Sequence, residues 1–352
     1  MITEKKIKLL ILTNMGATSE KPYSGIFVRN QWASIKDIEG IDAKYCEMPD
    51  FSRSKRLLGH LRYPNFMLYF VFKHILRRHS YDIIHIHFFF PTILLAILYK
   101  IVRKPNCKIV ITFHGSDIYS YAPFGWFYLL CTKFIDYAIF VSADLKNRLK
   151  LKVAQQVLSA GILSVFQPDK QVVIEKKYDL IFVGNLTFNK GADRLLNLLI
   201  DFKRPMTVCI VGVGEYTSAF QSLNTIHHIY VFGAMTPLEL KKLYQQSRYL
   251  INLSRFESFG LVMTEAMACG TPIICTDTDG SASQLDDLEN GFLVKQNTVN
   301  FEHDLAKLIE NALSCKTVHY DALSSSAIKH SAKYSITKIT ESLNKVYREL
   351  VH

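Results

Sequence analysis

The sequence predicts an α/β protein in which helices cover parallel sheets, and two observations support this fold class. Short apolar runs of strand length alternate with helical patterns along the chain, which is typical of parallel sheets. The length of 352 residues suggests two domains, at about 150 residues per domain. Hydrophobic residues make up 49% of the chain and charged residues 21%, so each half can bury a core of its own.

The first half alternates strands with helices. The apolar runs predict strands at Lys8–Thr13, Asp82–His87, Lys108–Thr112, Tyr137–Val141 and Lys152–Leu158. The helical spacing of apolar residues predicts helices at Gly25–Ile38, Asn65–Arg78, Thr92–Val102, Gly125–Phe134 and Ala143–Leu149.

A polar stretch, Gln167 to Lys177, interrupts this alternation and is predicted to be the linker between domains 1–168 and 169–334. A helix is predicted from Gly191, and a final one over Ser335–Leu350, where apolar residues recur at helical spacing. The predicted strands of the second half are Asp179–Val183, Thr207–Val211, Ile229–Phe232, Tyr249–Leu253 and Pro272–Cys275.

The positive charge is concentrated in the first half. The formal net charge is +11, and residues 1–176 hold 25 Lys and Arg against 13 Asp and Glu. Much of this excess lies in the segment Phe51–His79, where basic residues alternate with aromatic ones. Such a segment predicts an anionic membrane surface as partner, or else a solvated helix face beside a core stripe. Nucleic acid is not predicted, because no reader module is recognisable.

Cysteine usage and hydropathy indicate a cytoplasmic protein. The seven cysteines form no C-x-x-C pair, which argues against a zinc ribbon or a disulfide framework. No signal peptide is visible, and the longest apolar stretch, Ile86–Tyr99, contains Pro91 and is too short to span a bilayer.

Two loops of the second half each contain a glycine and a charged residue and lead into a predicted helix. The loop from Gly184 to Gly191 joins a strand to a helix, and Lys190 adds a positive charge suited to a phosphate. A second strand leads to Glu257 and a helix opening near Gly260, with Glu265 about one turn further. The alternative interpretation is an ordinary strand–helix turn in the first case and two solvated glutamates in the second.

The first half contains a histidine and a glycine at comparable positions. His114 and Gly115 follow a predicted strand, where a histidine can donate to a reacting group. Gly25 opens the first predicted helix. His85-x-His87 has the spacing of metal ligands on one strand face, but no third ligand is indicated by spacing, so no metal site is predicted.

The run from Glu257 to Gly270 resembles the signature of retaining family 4 glycosyltransferases, which have the GT-B fold. That signature has a Glu, seven residues, a second Glu and a small-residue helix that ends in Cys-Gly-Thr-Pro. Supporting segments follow in the family's order: the Gly25 helix start, Tyr81–His87, Thr112–Asp117, Val183–Gly191 and Val231–Gly233. The resemblance implies two Rossmann-like domains with parallel sheets that face each other across a cleft.

The resemblance implies a metal-independent, retaining hexosyltransferase without a cofactor. Its partners would be a nucleotide-sugar donor and a glycan or polyprenyl-linked acceptor of surface polysaccharide synthesis. The first domain would bind the acceptor and receive the final helix (335–352), and the second would bind the donor. The implied catalytic residues are His114, Lys190 and Glu257. The implied donor-binding residues are Gly25, Gly184, Asn185, Lys190, Phe232, Gly233, Glu257, Phe259, Gly260, Leu261, Val262 and Glu265.

Each implied role follows one part of the donor. Lys190 and the amides around Gly260 would hold the diphosphate, and Glu265 would bind the ribose. Glu257 and His114 would contact the transferred sugar. Gly25 would approach the phosphate, and the nucleobase would lie against the backbone at Phe232-Gly233.

The sequence departs from the family at two places. Asn185 stands where the family often has Arg, so charge stabilisation of the leaving group would depend more on Lys190. The family usually has a turn with paired glycines and a Glu, and in this sequence Asp279–Gln284 stands in its place. Two alternatives therefore remain, a non-catalytic GT-B scaffold for a partner transferase and a GT-B sugar-nucleotide epimerase.

Overall fold

The computed structural model describes residues 6–18, 23–50, 61–168, 174–285 and 289–351. The chain forms two compact units, one made of Met1–Gly161 with Ile336–His352, the other of Ile162–Ser335. The first unit thus ends before the predicted boundary at residue 168. The reason is that Ile162 and Phe166 are buried in the core of the second unit. Residues 169–173 of the predicted linker lie outside the described residues.

A six-stranded parallel sheet forms the centre of the first unit in the described residues, with the order β2-β1-β3-β4-β5-β6. Its strands are β1 (Ile7–Thr13), β2 (Ile41–Glu47), β3 (Ile83–His87), β4 (Lys108–Phe113), β5 (Tyr137–Phe140) and β6 (Ala154–Val157). Every residue of β3 is buried, as expected for an inner strand covered on both faces.

Helices connect these strands. They are α1 (Ile26–Ile35), α2 (Arg62–Phe70), α3 (Thr92–Val102), α4 (Ser116–Tyr119), α5 (Trp126–Thr132) and α6 (Ala143–Arg148). The predicted helix Asn65–Arg78 is α2 continued by a π-helical segment, Val71–Leu76. The basic residues Arg53, Lys55 and Arg56 lie outside the described residues.

The second unit repeats the arrangement, with the strand order β12-β11-β10-β7-β8-β9 in the described residues. Its strands are β7 (Tyr178–Val183), β8 (Thr207–Val211), β9 (His228–Phe232), β10 (Ser247–Asn252), β11 (Ile273–Thr276) and β12 (Gly291–Val294). Its helices are α7 (Ala192–Asp201), α8 (Thr217–Gln221), α9 (Pro237–Gln245), α10 (Leu261–Ala268), α11 (Asp279–Ala282), α12 (Phe301–Leu313) and α13 (Thr317–Ser331), and a 3₁₀ turn follows (Ala332–Tyr334).

The alternation of side chains along β7 divides the second core into two layers. Leu180 and Phe182 face the cluster that includes α7 and α12. Ile181 faces the cluster that includes α10. Because both faces of β7 are covered, consecutive residues of this strand are apolar and form a continuous apolar run in the sequence.

The last helix, α14 (Ile336–Val351), belongs to the first unit. Its residues Ile339, Leu343 and Tyr347 are buried in the core that contains β1 and α1. The hydroxyl of Thr340 donates to Ser34 Oγ at 2.9 Å, which fixes α14 against the end of α1. Within the described residues, no helix is both long and apolar enough to cross a membrane.

The ten predicted strands are confirmed, and two further strands were missed. β2 lies at the edge of its sheet and alternates buried with exposed residues, so it contains no continuous apolar run. β12 has four residues and is also an edge strand. Edge strands are covered on fewer sides, which weakens the apolar signal on which the prediction depended.

Candidate functional site

The two loops selected from the second half follow neighbouring strands. β7 pairs with β10, and the order of strands reverses at this pair, because β8 lies on the other side of β7. Ligands of open parallel sheets bind at the carboxyl ends of the strands beside such a reversal. The topology therefore brings the Gly184–Gly191 loop and the Glu257–Gly260 loop to one place.

An ion pair joins the two loops. Lys190 Nζ lies 2.6 Å from Glu257 Oε2. The Lys190 side chain is 32% exposed and the Glu257 side chain 12% exposed, so the pair borders the surface while its carboxylate is mostly covered. A positive charge and a carboxylate are thus adjacent at this edge of the second sheet.

The backbone of the two loops is in close contact. Gly191 has φ 75° and begins α7, and a Cβ there would lie 2.1 Å from Leu253 O. Arg255 reinforces the junction with two hydrogen bonds to the Asp193 carboxylate, at 2.7 and 2.6 Å. The Arg255 guanidinium also lies over the Phe188 ring, 3.5 Å from its centroid. The geometry of Lys190 relative to Glu257 is therefore held by fixed backbone.

The start of α10 has backbone amides without a hydrogen-bond partner in the described residues. Gly260 caps this helix with φ 84°, a conformation that favours glycine. In the described part of the chain, the amides of Gly260, Leu261 and Val262 donate no hydrogen bond. Unpaired amides at a helix start attract anions. A Cβ on Gly260 would lie 3.2 Å from Glu257 Cγ, so this helix start adjoins the ion pair.

Gln284, noted in the sequence as a departure from the family, supports that helix start. It is fully buried, and its Nε2 donates to Phe259 O and, at 3.1 Å, to Gly260 O. Its Oε1 accepts from Thr264 Oγ1 at 2.7 Å. A glutamate at position 284 could not make the first two bonds, since an ionised carboxylate has no proton to donate.

Glu265 lies on α10, and its Oε2 accepts a hydrogen bond from the Tyr244 hydroxyl at 3.3 Å. Part of the side chain reaches the surface, yet burial raises the pKa of Glu265 to about 7. A carboxyl group held in this way is ready to be paired with ligand hydroxyls, which would compensate for its lost hydration.

The other predicted donor residues lie at the same edge of this sheet. Gly184 ends β7 and donates its amide to Val211 O at 3.0 Å, while Asn185 is exposed in the following loop. Phe232 ends β9 and accepts from Gly212 N at 2.9 Å. Gly233 follows as an exposed residue with open space where a Cβ would be.

In the first unit, His114 is fixed at both ends. Its backbone amide donates to Asp117 Oδ1 at 3.0 Å, and the amide of Gly115 donates to the same oxygen at 2.9 Å. Its Nε2 lies 3.0 Å from His87 Nδ1. Burial raises the pKa of Asp117 to about 7 and lowers that of His114 to about 3, so the imidazole is neutral at neutral pH.

Aromatic rings enclose the His114 imidazole. The centroids of Phe27, Phe88 and His87 lie 5.0, 4.6 and 5.3 Å from its own. Phe27 is two residues after Gly25, the glycine at the start of α1, so the predicted Gly25 helix start and His114 lie near each other. Phe88 has φ 66°, a strained backbone for a bulky residue, and such strain often accompanies functional sites.

The hydrogen bond between His87 and His114 assigns their protons. In the described residues, His87 Nε2 is buried without a partner, and burial lowers the pKa of His87 well below its usual value. A proton on that nitrogen would be an unpaired buried donor, which is rarer than an unpaired acceptor. The favoured arrangement puts the proton on His87 Nδ1, so that His114 accepts at Nε2 and carries its own proton on Nδ1.

His85 belongs to the same buried chain of side chains. Its Nδ1 lies 2.6 Å from the Tyr347 hydroxyl and its Nε2 2.8 Å from Thr112 Oγ1. Its ring stacks on His87 with centroids 4.5 Å apart. Both His85 nitrogens are therefore occupied, and the described residues contain no group of three side chains suited to a metal ion.

The sequence reasoning missed Arg255 and Tyr244 and did not assign His87 a role toward His114. Arg255 could have been found, because a charged residue directly after a buried strand and two positions before Glu257 is rarely free. Tyr244 carried no local signal, since its contact with Glu265 depends on the packing of α9 against α10.

Two family models match most of the chain. Residues 166–330 match glycosyl transferases group 1, and residues 40–157 match glycosyltransferase family 4. His114 lies in the family 4 segment, and Lys190, Glu257 and Glu265 lie in the group 1 segment.

Relatives and a solved structure agree with these matches. The chain is 29% identical to an uncharacterized glycosyltransferase from Methanocaldococcus jannaschii, over 80% of this chain and 79% of the relative. It is 25% identical to an uncharacterized 41.2 kDa protein in the cps region of Klebsiella pneumoniae, over 78% of this chain and 80% of that protein. The crystal structure of Anabaena HepE in complex with UDP and glucose superposes on this chain with a TM-score of 0.74. The superposition covers 97% of this chain and 100% of HepE, at 16% sequence identity.

Two six-stranded parallel sheets with flanking helices define the GT-B class of proteins, as the sequence predicted. The chain belongs to the family 4 glycosyltransferases of this fold, with residues 40–157 matching the family 4 model and residues 166–330 the model of glycosyl transferases group 1.

Proposed function

We propose that this chain is a retaining hexosyltransferase that moves a sugar from a nucleotide-diphosphate donor to a glycan or lipid-linked acceptor. The observation that carries the proposal is the Lys190–Glu257 ion pair, 2.6 Å long, beside the amides at the start of α10 that donate no hydrogen bond within the described residues. A cation and a helix start bind a diphosphate, and carboxylates accept hydrogen bonds from hydroxyl groups. The second unit offers both kinds of group at one sheet edge.

Each part of the donor has a partner in this proposal. Lys190 and the amides of Gly260 to Val262 hold the diphosphate. Glu257 accepts from hydroxyls of the transferred sugar, and Glu265 accepts from the ribose. Gly184 and Asn185 line the phosphate side, and the base lies against the backbone at Phe232-Gly233.

In the first unit, His114 contacts the transferred sugar, and Gly25 approaches the phosphate. With its proton on Nδ1, the neutral His114 is a hydrogen-bond donor to a sugar oxygen. The ring of Phe27 links the two residues, since it packs on His114 and follows Gly25.

The transfer requires no covalent intermediate on the protein. The bond from the anomeric carbon to the β-phosphate oxygen breaks, and a bond from the acceptor oxygen forms on the same face. The departing phosphate takes the acceptor's proton, so charge and atoms balance. The residues of this chain bind, orient and stabilise the leaving diphosphate, for which Lys190 and the helix start provide the charge complement.

The acceptor side of the proposal is a glycan or polyprenyl-linked sugar of bacterial surface polysaccharide synthesis. The Klebsiella relative lies in a cps region. The basic segment Phe51–His79 supports peripheral binding at the inner face of the cell membrane, from a cytoplasmic location.

A thermal-shift panel of UDP, GDP, ADP and CMP, alone and as sugar conjugates, tests the donor site. A ligand at a hundred times its dissociation constant adds about 2.7 kcal/mol of stability. Uridine nucleotides come first, because HepE was crystallised with UDP. We expect one selective response that disappears in Lys190→Ala and persists in Lys307→Ala, a substitution on the exposed face of α12.

The remaining outcomes correspond to the alternatives. No response to any nucleotide would contradict the donor site and favour the scaffold, in agreement with the uncharged Asn185. Conversion of the donor to an isomer without any acceptor would identify an epimerase. Transfer with inversion, seen in the product by NMR, would contradict the retaining mechanism.

A further inference from the structure

The apolar face of α5 points into solvent. Trp126 is 77% exposed, and Phe127, Leu129 and Leu130 are also exposed, while Tyr128 is buried. A helix of a monomeric soluble protein normally turns its apolar face to the core. A contiguous exposed apolar patch of this kind marks an interaction surface.

A further exposed apolar face lies on α2 and on the π-helical segment that continues it. Leu68, Phe72 and Leu76 are 57%, 63% and 60% exposed and follow one another at intervals of four residues. Phe66 and Phe70 of the same helix are fully buried. One apolar face therefore belongs to the core, and the other has no partner in the described part of the chain.

Phe90 and Tyr121 extend the exposed aromatic surface of α5. The ring of Phe90 stacks with Phe127 at 6.0 Å and packs on Tyr121 at 5.4 Å. Tyr63, near the start of α2, is an exposed aromatic side chain that adds to the apolar surface of that helix. We call the exposed apolar side chains of α2, the π-helical segment and α5 the docking surface; they are Tyr63, Leu68, Phe72, Leu76, Tyr121, Trp126, Phe127, Leu129 and Leu130.

The two segments that carry the docking surface contain charge of one sign. Residues 61–81 and 118–135 contain no Asp or Glu. They contain five basic residues: Arg62, Lys73, Arg77, Arg78 and Lys133. Apolar and aromatic side chains framed by lysine and arginine match the boundary between acyl chains and anionic headgroups. A protein partner or a second copy of this chain would have to supply acidic residues for the same match.

We propose that the docking surface binds the headgroup region of a bilayer that contains anionic lipid, with Trp126 and Phe127 inserted to the level of the acyl chains. This deepens the proposed function, on whose lipid-linked acceptor it rests, by naming the contacting helix. The basic segment supplies charge, and α5, which lies outside that segment, supplies the apolar anchor.

The two tryptophans of the chain make the insertion measurable without turnover. Trp32 is partly buried, donates to Ala43 O at 3.1 Å and stacks on Tyr45. We would titrate the full chain with vesicles of phosphatidylcholine, with or without phosphatidylglycerol, and with brominated acyl chains as quencher. The expected result is a blue shift and quenching of emission with anionic vesicles, both absent in Trp126→Phe, in which Trp32 is the remaining tryptophan.

Variants then separate apolar insertion from charge. Phe127→Ser and Leu130→Ser should each weaken vesicle binding about tenfold, as expected when one buried apolar side chain is lost. Arg77→Gln with Lys133→Gln should reduce binding to anionic vesicles and its dependence on salt. Ile226→Ser and Val299→Ser, exposed apolar positions of the second unit, are the matched controls and should bind as the wild type does.

Three results would overturn the proposal. The first is no binding to either vesicle, and the second is binding without quenching of Trp126. The third is a dimer in sedimentation velocity without lipid that Trp126→Ser converts to monomer, which would assign the surface to a second copy. These readouts need no nucleotide, so vesicle binding with no nucleotide response would refute the donor site and leave the docking surface standing.

Discussion

Replacing Glu265 by glutamine should stabilise the free protein at alkaline pH and at the same time impair donor binding. Burial raises the pKa of Glu265 from 4.5 to about 7, so the folded protein holds this proton more tightly than the unfolded chain does. A carboxyl group of this kind lowers the free energy of unfolding progressively as the pH rises from 4.5 to about 7. Above that range the full penalty is present, and glutamine removes it.

The magnitude follows from the size of the shift. A rise of this size corresponds to about 3 kcal/mol, and solvent that reaches the side chain reduces the expected effect to about 2 kcal/mol. The hydrogen bond from Tyr244 survives, because the glutamine oxygen accepts as the carboxylate does. The substitution therefore removes a charge without removing a contact.

Urea denaturation at about pH 5 and about pH 8.5 would measure the difference between Glu265→Gln and the wild type. The difference should be about 0.5 kcal/mol at the lower pH and should reach about 2 kcal/mol at the higher one. Glu302→Gln, an exposed position on α12, is the control and should show no such dependence. A difference that does not change with pH would refute the reasoning, since Glu265 would then ionise alike in both states.

The other predictions concern the donor loops and the first unit. Lys190→Ala should lower kcat/KM about 10²- to 10³-fold, as loss of a charge-stabilising donor does, and initial rates beside Lys307→Ala measure this. Gln284→Glu should cost about 2–4 kcal/mol in urea denaturation, because the carboxylate cannot donate to the two carbonyl groups that face it. His87→Leu should lower kcat about tenfold with little change in KM, and His87→Asn should restore it by donating to His114 in place of Nδ1.

Each of these predictions has a contradicting outcome. Equal rates in both lysine variants would remove Lys190 from the site. Gln221→Glu on the exposed end of α8 is the control for Gln284, and an equal effect of both would deny Gln284 a special role. For His87, nitrogen chemical shifts of the His114 ring that are the same in wild type and His87→Leu would contradict the assigned proton positions.

The donor loops were predictable because their signals are local. An apolar strand, a glycine and a charged residue follow one another within a few positions, as at Lys190 and at Glu257. The two loops are adjacent because β7 pairs with β10. In the sequence, this pairing was supported by the alternation of strands and helices and by the family resemblance.

Other contacts could not be predicted because they join distant positions without a pattern. His87 and His114 meet because β3 and β4 are paired so that His87 lies opposite Thr112, and only the register reveals this. The domain boundary was placed in the polar stretch, whereas packing of Ile162 and Phe166 decides where the second unit begins. Burial, not local polarity, determines such a boundary.

The amide of Gln284 has a consequence for the orientation of peptide planes. In a trans peptide the carbonyl and the following N–H point in opposite directions. Since Gln284 draws the carbonyls of Phe259 and Gly260 inward, the N–H groups of Gly260 and Leu261 are turned outward. One buried side chain thus orients two peptide dipoles before any ligand arrives, and an anion that binds there meets a surface that is already polarised toward it.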